Sequence, residues 1–379
     1  MNNVERYDAN FKAINISSSE VDFYDAKNIN DALYGIYYCN TEKLYRRLPK
    51  EIADKVSDGV AHLAYHTASG RLKIKTNSRF IVIRAELEPY EIMKNMPISS
   101  QWGFSIKENG IYHGTIMPTS DEIIAQRDCT ITTFQGMRYL SEGEGEHDLT
   151  IYFPLYNNVK EVFIGVEKGA YVEKGSEYKY QTPVVFYGSS ITQGGCVTAS
   201  CNAHVNIVSE MLDTNVLNLG FSGNAKGEKI MADYLASLNP SVFVIEYDHN
   251  APTVEHLEKT HYNLYETIRT KNPTTPIILV TRPDVDRDYI LVNGIMREPI
   301  VKFNYDANTN INRRINVVKN TYNKGIANGD KNLYFIHGET LIPCELRQYA
   351  TVDTCHPNEL GAYYMAKRTC EVLQPLLEK

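Results

Sequence analysis

The chain has 379 residues, 43% of them apolar and 22% charged, and its 39 Lys plus Arg against 46 Asp plus Glu leave a net charge of −7. At ~150 residues per domain this length predicts two folding units and excludes a single small module, and the composition excludes broad disorder. The acidic balance, without any block of like charge, excludes a broad phosphate-binding footprint, so no nucleic-acid partner is expected.

Seven scattered cysteines, an odd number with no CxxC, argue against a disulfide framework. The polar start Met1–Arg6 and the lack of any apolar run approaching ~18 residues predict no membrane insertion and a soluble, cytoplasmic protein. A homo-oligomer is compatible with this composition.

From Val60 to Val166 short runs alternate apolar with polar residues, as in Leu72–Lys75 and Phe80–Leu87. Turn-prone breaks at Ala68–Gly70, Asn77–Ser78, Glu108–Gly110 and Glu142–Gly145 separate them, which predicts an antiparallel β-sandwich of jelly-roll type over residues 1–180. His62 and His66 fall on one of these strands and its following turn. Beyond the short linker Tyr178–Pro183 the pattern becomes strand then helix, repeated. Apolar runs at Pro183–Tyr187, Val216–Leu219, Val242–Ile245, Ile277–Val280 and Leu333–Ile336 alternate with amphipathic stretches such as Val254–Lys271 and Asn308–Ala327. The reading is a doubly wound parallel α/β sheet over residues 181–379, closed by a helix within Pro357–Leu377.

Phe186-Tyr187-Gly188-Ser189-Ser190-Ile191-Thr192-Gln193-Gly194 follows the first buried strand and precedes a helix. A serine there sits at the C-terminal edge of the sheet, where open α/β folds bind ligands, and the glycine permits a tight turn. The helix start behind Ser190 offers free N–H groups to an oxyanion. The competing reading is a Gly/Ser-rich loop that caps a helix or holds a phosphate. Asp353-Thr354-Cys355-His356 lies between the last strand and the final helix, so it returns to the same edge. An Asp and a His three apart can supply a general base and its orienting acceptor from one loop; alternatively they only cap the last helix.

Gly188-Ser189-Ser190 with Thr192 and Gly194, Asn218-Leu219-Gly220-Phe221-Ser222-Gly223, Asp248-His249-Asn250 and Asp353-x-x-His356 occur in order over about 170 residues. Their order and spacing resemble the four conserved blocks of the SGNH (GDSL-like) hydrolase superfamily. Phe23–Ala26, Tyr45–Pro49 and Tyr152–Asn157 resemble the N-terminal domain of a bacterial subgroup that carries a β-sandwich, so the resemblance spans nearly the whole chain.

The resemblance implies a flavodoxin-like sheet and a serine esterase acting through an acyl-enzyme. Ser190 would be the nucleophile, His356 the base and Asp353 its orienting acid. The oxyanion hole would combine the Ser190 N–H, the Gly223 N–H and the Asn250 amide, with Gly220 as a lesser candidate. Two departures stand out: Ser189 replaces the usual Asp, and Asp248 and Ala251 flank Asn250 where a glycine and an aspartate are commoner. Altered hydrogen bonding around an active site is therefore expected.

The implied substrate is a small-molecule or oligosaccharide ester, with O-acetyl groups on sugars favoured. Rivals are a lysophospholipase, thioesterase or platelet-activating-factor acetylhydrolase-like lipid esterase, and a carbohydrate-binding protein with a decayed hydrolase domain. The lone Trp102 is a candidate substrate-binding wall contributed by the β-domain, the competing reading being a tryptophan packed inside the sandwich, and Asp284–Asn304 is a candidate lid or substrate loop, the competing reading being an ordinary surface insertion. No cofactor is expected, since GxGxxG and GxxxxGK[ST] are absent, and no metal, since His256 and His261 are five apart and the other thiols and imidazoles lack ligand spacing.

Overall fold

The computed structural model describes residues 18–88, 92–119, 122–123, 132–141, 145–283, 285, 290–292, 295–297 and 307–378. In the N-terminal half two antiparallel sheets stack. One orders strands Val21–Asp25, Asn158–Glu167, Phe80–Glu88 and Thr132–Tyr139 side by side. The other orders Glu173–Lys174, Arg71–Thr76, His147–Tyr152, Phe104–Glu108 and Ile111–Ile116, with Leu33–Tyr34 also pairing on Arg71–Thr76. The two-residue period of a strand explains the core: Ile81, Ile83, Ala85 and Leu87 all point between the sheets, meeting Leu72, Ile74, Ile106, Leu149, Ile151 and Ile164.

Trp102, expected as a wall of the site, belongs to this same core and is 2% exposed. The correction has a plain cause: a large ring beside the inward-facing Phe104 buries more apolar surface between the sheets than it would at a cleft. His62 also departs from expectation. It lies on a helix, Asp58–Leu63, which follows the helix Lys50–Val56. This helical excursion does not join the sandwich core. Leu48, Ala53, Val60, Leu63 and Ala64 pack instead with residues of the C-terminal half.

In that half, β1 (Tyr180–Gly188), β2 (Thr214–Gly220), β3 (Val242–Glu246), β4 (Ile277–Val280) and β5 (Leu333–Ile336) form an all-parallel sheet in the order β2-β1-β3-β4-β5. Both faces are covered, which is why the strands read as continuous apolar runs. Val184 and Phe186 face Val205, Val208 and Met365 of helices His204–Leu212 and Glu359–Leu377. Val185 and Tyr187 face Met231, Leu257 and Val318 of helices Lys229–Ser237, Val254–Lys271 and Ala307–Ala327. The chain leaves β1 for β2 on one side and returns to β3 on the other, so the strand order reverses at the C-terminal ends of β1 and β3.

The outer edge of β2 is closed by two buried arginines from the N-terminal half. Arg47 donates to the carbonyls of Asn218 at 2.7 Å and Gly220 at 2.8 Å, and Arg71 to that of Val216 at 3.3 Å. These carbonyls are two residues apart, the spacing at which a strand presents them to one side, so the guanidinium groups occupy the place of a missing neighbour strand. Of the segment expected as a lid, only Val285 and the paired strands Ile290–Val292 and Ile295–Arg297 are described; the rest of that expectation lies outside the described residues. Among the described residues no helix is long and apolar enough to cross a membrane.

Candidate active site

The end of β1 turns sharply into the short helix Ser190–Gln193. Gly188 makes the turn possible: a Cβ there would lie 2.2 Å from Thr192 Oγ1 and 2.4 Å from the carbonyl of Glu246. Ser189 caps the helix, its hydroxyl accepting from the Ile191 N–H at 3.1 Å, and Gly194 ends it at φ +103°. Ser190 is therefore the first helical residue, its N–H one of those that no helical carbonyl reaches. Its carbonyl, by contrast, accepts from the Gly195 N–H at 2.8 Å and from the hydroxyl of Tyr156, a residue of the N-terminal half, at 3.2 Å.

The loop after β5 brings Asp353 and His356 to the same place. Ser190 Oγ lies 2.8 Å from His356 Nε2, and His356 Nδ1 lies 2.8 Å from Asp353 Oδ2. The other carboxylate oxygen of Asp353 accepts from the backbone N–H groups of His356 at 2.8 Å and Cys355 at 3.2 Å. Asn95, again from the N-terminal half, donates its amide to Asp353 Oδ2 at 2.7 Å. Partial burial works against the charged form of Asp353, but the His356 N–H, the Asn95 amide and the imidazole outweigh it and hold the carboxyl down at about 2. The helix-capping alternative fails here, because the final helix is capped by Asn358, whose side chain accepts from the Gly361 N–H.

Around the turn the remaining blocks converge. Asn250 donates one amide N–H to the Phe221 carbonyl at 3.1 Å, which fixes the orientation of the group, and its second N–H has no partner among the described residues. Gly223 has φ +66° and open space where a Cβ would stand, so it is the backbone conformation that calls for glycine. The Gly220 N–H already donates to Asn218 Oδ1 at 2.9 Å, which removes it as an oxyanion donor. Gln193 ties the pieces together, donating to the Leu155 carbonyl at 3.2 Å and accepting from the Ser222 N–H at 3.0 Å.

Ser189, in the position where the resemblance leads one to expect Asp, donates its hydroxyl to the buried carboxylate of Glu246 at 2.9 Å. Glu246 and Asn95 touch the constellation without having been singled out from the sequence, and His249 and Tyr156 lie within the quoted segments without a role of their own. A signal existed for Glu246, a carboxylate closing an otherwise apolar parallel strand; none existed for Asn95.

Among the described residues two groups bring potential metal ligands within 4.8 Å of one another, Cys196 with Asp353 and His356, and Glu246 with Asp248 and His249. In the first, both imidazole nitrogens are engaged by Ser190 and Asp353. In the second, the imidazole already pairs with both carboxylates. A separate concavity of about 470 Å³, lined by Tyr262, Arg269 and Asp330 among others, contains none of these residues.

Residues 181–374 match the GDSL-like lipase/acylhydrolase family model, and residues 21–172 the model of the N-terminus of SGNH-hydrolase-type esterases. No curated protein matches. Among solved structures, a Bacteroides ovatus protein described as a GDSL-like lipase is 25% identical, with a TM-score of 0.77 over 94% of this chain and 98% of its own. The salicylyl-acyltransferase of a tetracycline biosynthetic pathway is 14% identical, with a TM-score of 0.73 over 95% of this chain and 98% of its own. An acetyl xylan esterase from the rumen bacterium Butyrivibrio proteoclasticus is 13% identical, with a TM-score of 0.55 over 95% of this chain and 99% of its own.

Proposed function

The chain belongs to the GDSL-like lipase/acylhydrolase family and is an SGNH-type ester hydrolase, and from that premise we propose that it is a serine O-acetyl esterase acting on sugars or oligosaccharides through an acyl-enzyme. The observation that carries the mechanism is the chain of two 2.8 Å hydrogen bonds from Ser190 Oγ through His356 to Asp353.

In this reading Ser190 Oγ attacks the ester carbonyl while His356 Nε2 takes its proton, and ionised Asp353 holds Nδ1–H and favours the imidazolium that forms. The negative oxygen of the tetrahedral intermediate is met by the N–H groups of Ser190 and Gly223 and the free N–H of Asn250. Collapse expels the alcohol, which takes the proton from Nε2. Water then attacks the acyl-serine by the same route in reverse, releasing the acid and restoring Ser190. No cofactor enters these steps.

Supporting the sugar part is a fold shared, over nearly the whole chain, with the acetyl xylan esterase. Ser190→Ala is expected to abolish hydrolysis of a simple aryl acetate while leaving the circular-dichroism spectrum unchanged, because the side chain removed is small and belongs to no core cluster. A mutant as fast as the parent overturns the mechanism. Turnover of acetylated oligosaccharides well above that of medium-chain acyl esters is expected; the opposite ranking would replace the sugar ester with a lipid or thioester substrate.

A further inference from the structure

One buried carboxylate joins the two halves of the catalytic constellation. Glu246 closes β3 and is 5% exposed. Its Oε2 accepts from Ser189 Oγ at 2.9 Å and Thr192 Oγ1 at 3.0 Å, the residues before and after the Ser190–Ile191 step of the turn. Its backbone carbonyl accepts from the Ser189 N–H at 3.1 Å. On the opposite side Glu246 Oε1 stands 3.1 Å from Nδ1 of His249, the residue preceding Asn250. Thus the same side chain holds the nucleophile turn through the hydrogen bonds of one oxygen and faces the loop that carries the amide donor, at ion-pair distance, with the other.

The link is ionic. Asp248, fully buried, places its Oδ1 3.4 Å from His249 Nδ1 and accepts the His249 N–H at 3.0 Å. Two desolvated carboxylates therefore converge on one imidazole, and such charges persist in a protein interior only when paired. Among the described residues the other charged or titratable groups around this cluster are few. Arg282, after β4, donates its backbone N–H to Asp248 at 3.2 Å. Arg314, from helix Ala307–Ala327, donates to the Asp248 and Ala251 carbonyls. His261 stacks on Tyr247, and the buried His204 has its basicity lowered to about 4 by burial, against the opposing charge of Glu246. Burial opposes the charge on His249, but Glu246 and Asp248 prevail and raise it to about 9.

We propose that Glu246 is a positioning residue which, through the His249 cation, sets the placement of Asn250 relative to Ser190. The proposal rests on the assignment of Ser190 as nucleophile and Asn250 as oxyanion donor. A donor that acts on the transition state must already stand where charge will develop, and small displacements are costly in rate. Because neither Glu246 nor His249 contacts the substrate in this scheme, their removal acts on kcat and leaves KM nearly alone.

The test is Glu246→Gln, assayed on an aryl acetate between pH 6 and 9.5. The glutamine carbonyl can still accept from Ser189 and Thr192, so the turn keeps its hydrogen bonds while the imidazole loses one of its two counter-charges. The parent holds the cation until the pH approaches about 9. With one carboxylate gone the imidazole gives up its proton at lower pH, so the alkaline decline of kcat is expected to move down by about two pH units. At pH 8–9 kcat should fall about 10- to 100-fold with KM within about twofold of the parent, and the deficit should shrink toward pH 6.

His249→Gln, which keeps a donor toward Glu246 but cannot titrate, should show a kcat deficit that is constant from pH 6 to about 8 and narrows only as the parent loses its own cation near about 9. It also serves if Glu246→Gln does not fold. A Glu246→Gln profile parallel to that of the parent, an effect confined to KM, or a His249→Gln enzyme as fast as the parent would each overturn the proposal. Ser190→Ala in the same assay separates the two levels. If it is inactive while Glu246→Gln behaves like the parent, only the positioning role falls; if it is active, the assignment of the site falls as well.

Discussion

Asp353 is the most solvent-facing member of the hydrogen-bonded chain, yet its carboxylate accepts from four N–H groups, two on each oxygen. The one contributed from outside its own loop is Asn95. Hydrogen bonds to an ionised group contribute about 1.5–3 kcal/mol, so Asn95→Ala is expected to lower kcat/KM about tenfold and to raise the pKa of the Asp353 carboxyl. The sign follows from the depressed folded value: the stabilisation is complete above the ordinary carboxyl pKa of 3.8 and is lost as pH falls through about 2. The rate profile of the parent should accordingly show no ionisation of Asp353 above about pH 3, and NMR titration of the carboxyl in parent and variant checks both statements. Asn95 could not have been picked from the sequence, since a single amide in an irregular segment carries no periodicity and no spacing to Asp353.

The strands of the parallel sheet were legible for a definite reason. A strand covered on both faces must be apolar at every position, and Val242–Ile245 or Ile277–Val280 has no other explanation of that length. The turn after β1 was legible as well, because Gly188 has no room for a Cβ. Gly188→Ala is expected to cost about 1–3 kcal/mol and to lower activity beyond that, as Thr192 and the β3 carbonyl must move away from the serine turn. Gly223→Ala is the informative contrast. It meets no neighbour and retains its N–H, so only the positive φ opposes it, at about 1 kcal/mol. Urea melts of the two variants read the difference. What the sequence concealed was the direction of Trp102, since an aromatic flanked by short strands has the same local pattern whether it faces a core or a cleft. His62 was misread for a related reason: the helices Lys50–Val56 and Asp58–Leu63 are each less than two turns, too short to establish a helical period.

Across the whole molecule the two halves interlock more deeply than a short linker implies. Arg47 and Arg71 satisfy alternate carbonyls of β2, and Leu48, Ala53, Val60 and Leu63 complete the core beneath β1 and β2. Expressed without the first 180 residues, the α/β half would present both an unsatisfied edge and an uncovered apolar face. It is expected to be insoluble or molten, whereas a separable module would give a sharp thermal transition. Long-range arginine contacts of this kind leave no trace in a linear pattern, because the partners are backbone carbonyls that every residue possesses.

Ser190 follows directly on the buried C-terminal end of β1, whereas His356 arrives on a peripheral loop in which Val352, Asp353 and Thr354 are exposed and Thr354, a β-branched residue, is held at φ +67°. Those two anchorages must differ in local opening free energy, and the strain at Thr354 is relieved whenever the loop lets go. Loss of turnover in urea is therefore expected to precede loss of ellipticity, with the midpoint for activity at the lower concentration. Amides of residues 351–356 should exchange with deuterium orders of magnitude faster than those of β1. Such a protein would be silenced while still folded and would regain activity on dilution without having to refold.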